Sequence, residues 1–210
     1  MPPSTLKRLS GLAGILAGVL FVVAELLNPL VIPDTLRAAF DDLGQIAVTN
    51  GFFVQSLLTL LAGMLLLVAL IGFYVTQSQA AGKLGVVGIL AAYVGTLLMV
   101  GDFYANTFVT PLVALSVPDY LSSYDAGLLR LWFPVEFGLF AISWLLFAIA
   151  TLRARVYPGG AALLLLVGAI IALPPVPFVN VVFYLAVVWL GFALFSGRIK
   201  VATRSSTRRR

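Results

Sequence analysis

Six apolar stretches, each near the length a helix needs to cross a bilayer, constrain this chain more than any other feature. A hydrocarbon core about 30 Å thick takes roughly 20 residues at a rise of about 1.5 Å each. The runs at 11–30, 52–75, 84–109, 131–152, 158–173 and 177–195 meet or approach that length. Hydrocarbon offers no partner to a backbone N–H or C=O, so such runs must close their own hydrogen bonds as helices. The expected fold class is therefore all-α: a polytopic transmembrane helical bundle of six helices, in one domain over 1–203 with a basic tail at 204–210. The fifth and sixth runs are short, and only Pro174-Pro175-Val176-Pro177 separates them. A re-entrant hairpin is the alternative reading of that pair.

Charge supports the same reading. The chain is 61% hydrophobic and 10% charged, too little charge to cover a soluble domain of this size. With the N-terminus inside, the cytoplasmic segments hold Lys7, Arg8, Lys83, Arg153, Arg155, Arg198, Lys200, Arg204, Arg208, Arg209 and Arg210, and the outer loops hold Arg37 and Arg130. Basic residues collect on the cytoplasmic side, so N-in and C-in is the expected topology. All eight acidic residues then fall at or near the outer side. A competing reading takes Lys7, Arg8, the run from Gly11 and Val22-Val23-Ala24 as a cleavable secretory signal. The run continues through Leu26, Leu27, Leu30, Val31 and Ile32, longer than a signal core needs.

Composition also removes chemistry. There is no cysteine and no histidine. Thiolate catalysis, disulfides and Cys-zinc sites are excluded, and so is the usual proton shuttle near neutral pH. No phosphate-binding loop, dinucleotide fingerprint or HExxH motif occurs. No DxxD pair stands within a helix, which argues against a lipid-phosphate enzyme held on Mg²⁺. No cofactor, metal site or catalytic residue is expected, and an enzyme is the least favoured class. The basic residues flank apolar runs rather than alternate with base-stacking aromatics, so nucleic acid is not the expected partner. The lipid bilayer is, and the Arg-rich tail is expected to add attraction to anionic lipid.

The first two hairpins resemble each other. Gly11, Gly18 and Glu25 are spaced seven and seven, as are Gly88, Gly95 and Asp102. Outer loops follow with Pro33-Asp34-Thr35-Leu36 and Pro118-Asp119-Tyr120-Leu121, then the pairs Phe40-Asp41 and Tyr124-Asp125. The next helices open with Phe52-Phe53-Val54-Gln55 and Phe133-Pro134-Val135-Glu136, and Phe178-Val179-Asn180 echoes them. This order suggests a parallel duplication of a two-helix hairpin. Residues seven apart share one stripe of a helix, and small residues let membrane helices approach closely, so the first and third helices are expected to form the central pair. Asp34 and Asp119 are placed as N-caps. Leu36, Phe40, Leu43 and Ala47 recur at helical spacing, as on a short amphipathic helix lying at the outer interface. Trp144 and Trp189 read as packing, Trp132 and Tyr157 as interfacial anchors.

The candidate site lies among polar groups at membrane depth, where an ionisable side chain is costly and by default functional. Glu25 is about 21 Å along its helix from Gly11, and Asp102 about 27 Å from Leu84. Asn28 and Asn106 each stand near their carboxylate's face, about one turn on. Glu136, Gln55 and Asn180 enter at a similar height. The expectation is a ligand, cation or proton site at the outer level, with Arg130 able to fold back and neutralise one carboxylate. The bland reading is that these groups cap helices and reach interfacial water.

The segments Lys7-Arg8-Leu9-Ser10-Gly11-Leu12-Ala13-Gly14, Tyr120-Leu121 to Leu128, and Tyr157-Pro158-Gly159-Gly160, with the amphipathic outer loop, resemble an uncharacterised bacterial and archaeal family of multi-pass membrane proteins. The resemblance implies six helices in a bacterial or archaeal plasma membrane and transfers no activity. The functional expectation is a small transporter-like or ligand-binding membrane protein with an outward-facing carboxylate/amide site. A non-catalytic membrane component that packs with partner proteins or lipid is the alternative. Substrate and oligomeric state are not fixed by the sequence.

Overall fold

A computed structural model of the chain describes residues 3–31, 43–117, 129–172, 178 and 180–199. The described residues are helical and include no strand. The helices are α1 (Pro3–Val31), α2 (Leu43–Ala47), α3 (Asn50–Tyr104), a π-helical turn (Ala105–Val109), α4 (Thr110–Ser116), α5 (Leu129–Ala154), α6 (Gly159–Ile171) and α7 (Val181–Phe195). Three helical stretches are long and apolar enough to cross a membrane, Ser4–Pro29, Asn50–Ser116 and Val135–Ala154, and α6 and α7 are shorter apolar helices. They support a membrane protein. The outward faces carry large apolar side chains such as Leu90 (62% exposed) and Ile142 (53% exposed), more apolar surface than water tolerates on a monomer.

The start of α3 is set locally. Thr49 Oγ1 accepts the Phe52 N–H at 3.2 Å and donates to the Ile46 carbonyl at 2.7 Å, a side-chain N-cap. The second and third apolar runs then form one helical element. No loop covers 76–83, because Gln77-Ser78-Gln79-Ala80-Ala81 continues the helix and Gly82 alone leaves it, at φ 57° and ψ −148°. Glycine tolerates that conformation because it has no Cβ. The chain folds back there: a Cβ at Gly63 would lie 2.7 Å from Val100 and 3.3 Å from Phe103. We call the limbs before and after Gly82 α3a and α3b.

Further on, α3b passes into the π-helical turn, where the Thr110 N–H bonds the Ala105 carbonyl five residues back. Pro111 supplies the cause: it lacks an N–H and its ring crowds the carbonyl four residues earlier, Thr107.

Packing joins α1 to α3 and α7, α3 to α5, and α6 to α5 and α7. The glycine stripes make these approaches. A Cβ at Gly11 would sit 2.6 Å from the Phe195 nitrogen, and one at Gly18 would sit 2.6 Å from the Tyr184 carbonyl oxygen. A Cβ at Gly88 would meet Phe147 Cα at 3.0 Å, and one at Gly95 would collide with Ser143 Oγ. The stripe of the first helix therefore faces the last, and the stripe of the third faces the fourth. They do not face each other as a central pair, and they do not make the equivalent contacts a duplicated hairpin requires. Heptad spacing selects a helix face; it does not select the neighbour. Buried aromatics, among them Trp144, Phe147 and Phe183, fill the core, and the Trp144 indole N–H donates to Thr96 Oγ1 at 3.0 Å.

Tyr157 departs from expectation. It is buried rather than an interfacial anchor, and its hydroxyl donates to the Phe73 carbonyl at 3.3 Å. Trp189 is half-exposed on α7, against the backbone of Gly160. Leu43–Ala47 is helical, and Ile46 and Ala47 pack with Phe52 and Ala114. The rest of that amphipathic segment, the caps at Asp34 and Asp119, the Trp132 and Arg130 side chains, the proline turn and the tail at 204–210 lie outside the described residues.

These contacts also sort charge. Gly11 against Phe195, Gly72 against Ser10, and Gln77 against Thr151 (Nε2 to Oγ1, 2.9 Å) bring Lys7, Arg8, Lys83, Arg153, Arg155 and Arg198 to one end of the bundle. Glu25, Asp102 and Glu136 lie at the other.

Candidate functional site at the acidic end

Glu25 is half-buried near the end of α1. Four residues on, Pro29 interrupts the helix ladder, since it has no N–H to offer the Glu25 carbonyl. The Glu25 carbonyl therefore lacks its usual helical donor. Oε1 accepts the backbone N–H of Phe178 at 2.8 Å. Phe178 stands at φ +66°, a left-handed conformation unusual for an aromatic residue. Two residues later Asn180 stands at the cap position before α7, half-buried and with its side chain not used as a cap.

Gln55 reaches the same level from α3a. Its Nε2 donates to the Ala24 carbonyl at 3.3 Å, tying the start of α3 to the turn that carries Glu25. Asn28, one turn above Glu25, holds its Oδ1 buried without a hydrogen-bond partner.

On α3b the expected pairing is present. Asn106 Nδ2 donates to Asp102 Oδ2 at 2.9 Å, and Thr110 Oγ1 donates to Asn106 Oδ1 at 3.3 Å. The three side chains form a ladder at intervals of four through the π-helical turn. Thr110 was discoverable from the same spacing that linked Asp102 to Asn106. Glu136 on α5 is buried, at 1% exposure.

Beneath this level lies a cavity of about 30 Å³, lined by Phe21, Thr96, Phe103, Phe137, Asn180 and Tyr184 among others. It has room for about one water molecule. Aromatic rings form its wall: Phe21 stacks on Tyr184 at 4.7 Å and 10°, and meets Phe103 at 5.9 Å. Of the seven expected site residues, Asn180 lines the cavity; Glu25 and Asp102 do not, though Phe21, one turn before Glu25, and Phe103, next to Asp102, do. The structure thus joins Asp102 to Asn106, Gln55 to the turn of Glu25, and Glu25 to the chain entering α7. Among the described residues no hydrogen bond links Glu25 to Asp102, and no three acidic side chains converge as a metal cage would need. The Phe178 N–H and Tyr184 were missed, since a backbone donor in a turn and a tyrosine inside an apolar run carry no distinguishing pattern. No family model, curated protein or solved structure matches the chain.

Proposed function

We propose that the chain is a six-crossing protein of a bacterial or archaeal plasma membrane, with both termini cytoplasmic, and that it is a small transporter-like or ligand-binding protein. Its site is outward-facing and built from carboxylates and amides, and its ligand class is a proton, a metal cation or a protonated amine. The observation that carries this reading is the grouping of Glu25, Asp102 and Glu136, the acidic residues among the described ones, at one end of the bundle, above the rings of Phe21, Phe103 and Tyr184. In this reading these residues have binding roles.

The test is thermal unfolding of the purified protein in detergent, across pH and across inorganic and organic cations. A ligand that binds the folded state raises the melting temperature with its concentration. Wild type is expected to show such a dependence, and Glu25→Gln and Asp102→Asn to lose it. A wild-type profile that these substitutions leave unchanged would falsify the reading. The second reading, a non-catalytic membrane component packing with partner proteins or lipid, has its own observation. Glu25 and Asp102 already hold protein donors, the Phe178 N–H and the Asn106 amide, as structural groups would.

A further inference from the structure

At the basic end, an open cleft of about 600 Å³ lies where α5 gives way to α6, between Arg153, Arg155, Tyr157 and Gly159. That is a volume typical of ligand sites. Both guanidinium side chains are exposed. No aspartate or glutamate occurs at 43–101 or after Glu136, so among the described residues this end has no side-chain carboxylate to neutralise them. The nearest acids along the chain belong to the opposite end. From Arg8 to Glu25 the helix rises about 25 Å, roughly three Debye lengths at physiological salt. No described side chain supplies the counter-charge.

The cleft is shaped for an anion with an apolar body. Its floor includes buried Thr151 and Tyr157. The α6 helix opens at its edge, and Pro158 in the cap position supplies no side-chain acceptor to the first N–H groups. These add positive potential to that of the two arginines. A Cβ at Gly159 would meet nothing within 4 Å. The wall continues through Leu152 and Ala162 toward the apolar flank of α6 and α7, where Leu163 is 53% and Trp189 45% exposed. A charged recess that runs onto an apolar helix flank, at the end of the membrane-length helix α5, is at headgroup depth.

We propose that this cleft binds the phosphate headgroup of an anionic phospholipid from the leaflet at the basic end. Arg153 and Arg155 engage the phosphate oxygens, as planar guanidinium forks do, and the acyl chains lie along α6 and α7. The site rests on membrane embedding and is independent of the acidic-end site, so either proposal can fail alone.

The experiment is lipid retention by native mass spectrometry of the full chain in detergent micelles doped with phosphatidylcholine and phosphatidylglycerol. Wild type is expected to retain phosphatidylglycerol preferentially. Arg153→Gln/Arg155→Gln is expected to weaken retention on the order of tenfold or more, from about 1 kcal/mol per basic residue near the surface. Lys7→Gln/Arg8→Gln removes equal charge from the same end away from the cleft and is expected to preserve the preference. Gly159→Glu gives the cleft its own carboxylate at a helix N-terminus; it is expected to abolish the preference without lowering the melting temperature in phosphatidylcholine. This variant decides the matter if the arginine variant does not fold. Absence of a wild-type preference, an equal loss in Lys7→Gln/Arg8→Gln, an unchanged preference in Gly159→Glu, or displacement of the lipid by inorganic phosphate alone would each overturn the proposal.

Discussion

The carboxylate of Glu25 holds the backbone N–H of Phe178 at 2.8 Å, across 153 positions of the chain. It fixes the entry to the last helix at the point where the backbone turns left-handed. Hydrogen bonds to a charged group contribute about 1.5–3 kcal/mol. Glu25→Ala should therefore destabilise by about that amount, and Glu25→Gln by less, since the amide oxygen still accepts. Phe178→Gly should be near neutral, because relief of about 1–2 kcal/mol of left-handed strain offsets loss of a ring that is 43% exposed. Thermal unfolding in detergent measures all three; equal losses for Glu25→Ala and Glu25→Gln would show that charge, not acceptance, matters there.

Two glycines on α3b separate packing from propensity. A Cβ at Gly95 runs into Ser143, whereas one at Gly101 meets nothing within 4 Å. Gly95→Ala should destabilise by about 1–3 kcal/mol through overpacking. Gly101→Ala should be neutral or stabilise by up to about 1 kcal/mol, as alanine favours the helix. Stability titration of the pair checks this, and the reverse order would mean that α5 does not lie against Gly95.

Topology is open to labelling because the chain has no native cysteine. Ser116 and Ser196 are exposed at opposite ends. An impermeant thiol reagent applied to intact cells should modify Ser116→Cys and spare Ser196→Cys. The opposite pattern would invert the orientation.

Burial pushes the Tyr157 phenol above its ordinary pKa, with an opposing and smaller effect from the Thr76 hydroxyl. The folded state thus favours the neutral form. Its contribution is fully present below the unfolded value of about 10 and is lost as pH rises beyond that toward the raised folded value. Tyr157→Phe should lose the bond to the Phe73 carbonyl and, with it, part of the alkaline decline in stability. Wild-type and variant melting curves that fall in parallel above pH about 10 would count against this.

Helices were legible wherever apolar residues ran long enough, and the Asp102–Asn106 pair was legible from an interval of four. Gln55 and Glu25 stand a similar distance from their helix ends, and the Gln55 amide reaches the Ala24 carbonyl. What could not be read concerns partners. Gly11 and Gly18 announce a close approach, but a heptad stripe is silent on which helix arrives. The stretch 76–83 reads as a loop by polarity, yet its residues are adequate helix formers, and one glycine suffices to reverse the chain. Tyr157 has the amphipathic character of an interfacial anchor, but its hydroxyl found a carbonyl inside the bundle, and that satisfied burial equally well.

The reversal at Gly82 has a consequence for how this chain tolerates change. Gly63 stands nineteen residues before it and faces Val100, eighteen residues after it. With no loop to absorb slack, the two limbs count against each other from a common origin. Inserting one residue in either limb turns everything beyond it by about 100° and moves it about 1.5 Å, carrying Gly63 away from Phe103. Insertions and deletions between 64 and 99 should thus be excluded from functional variants, whereas substitutions on the lipid-facing side of the same limbs are accepted. The hairpin acts as a ruler whose zero is a single glycine.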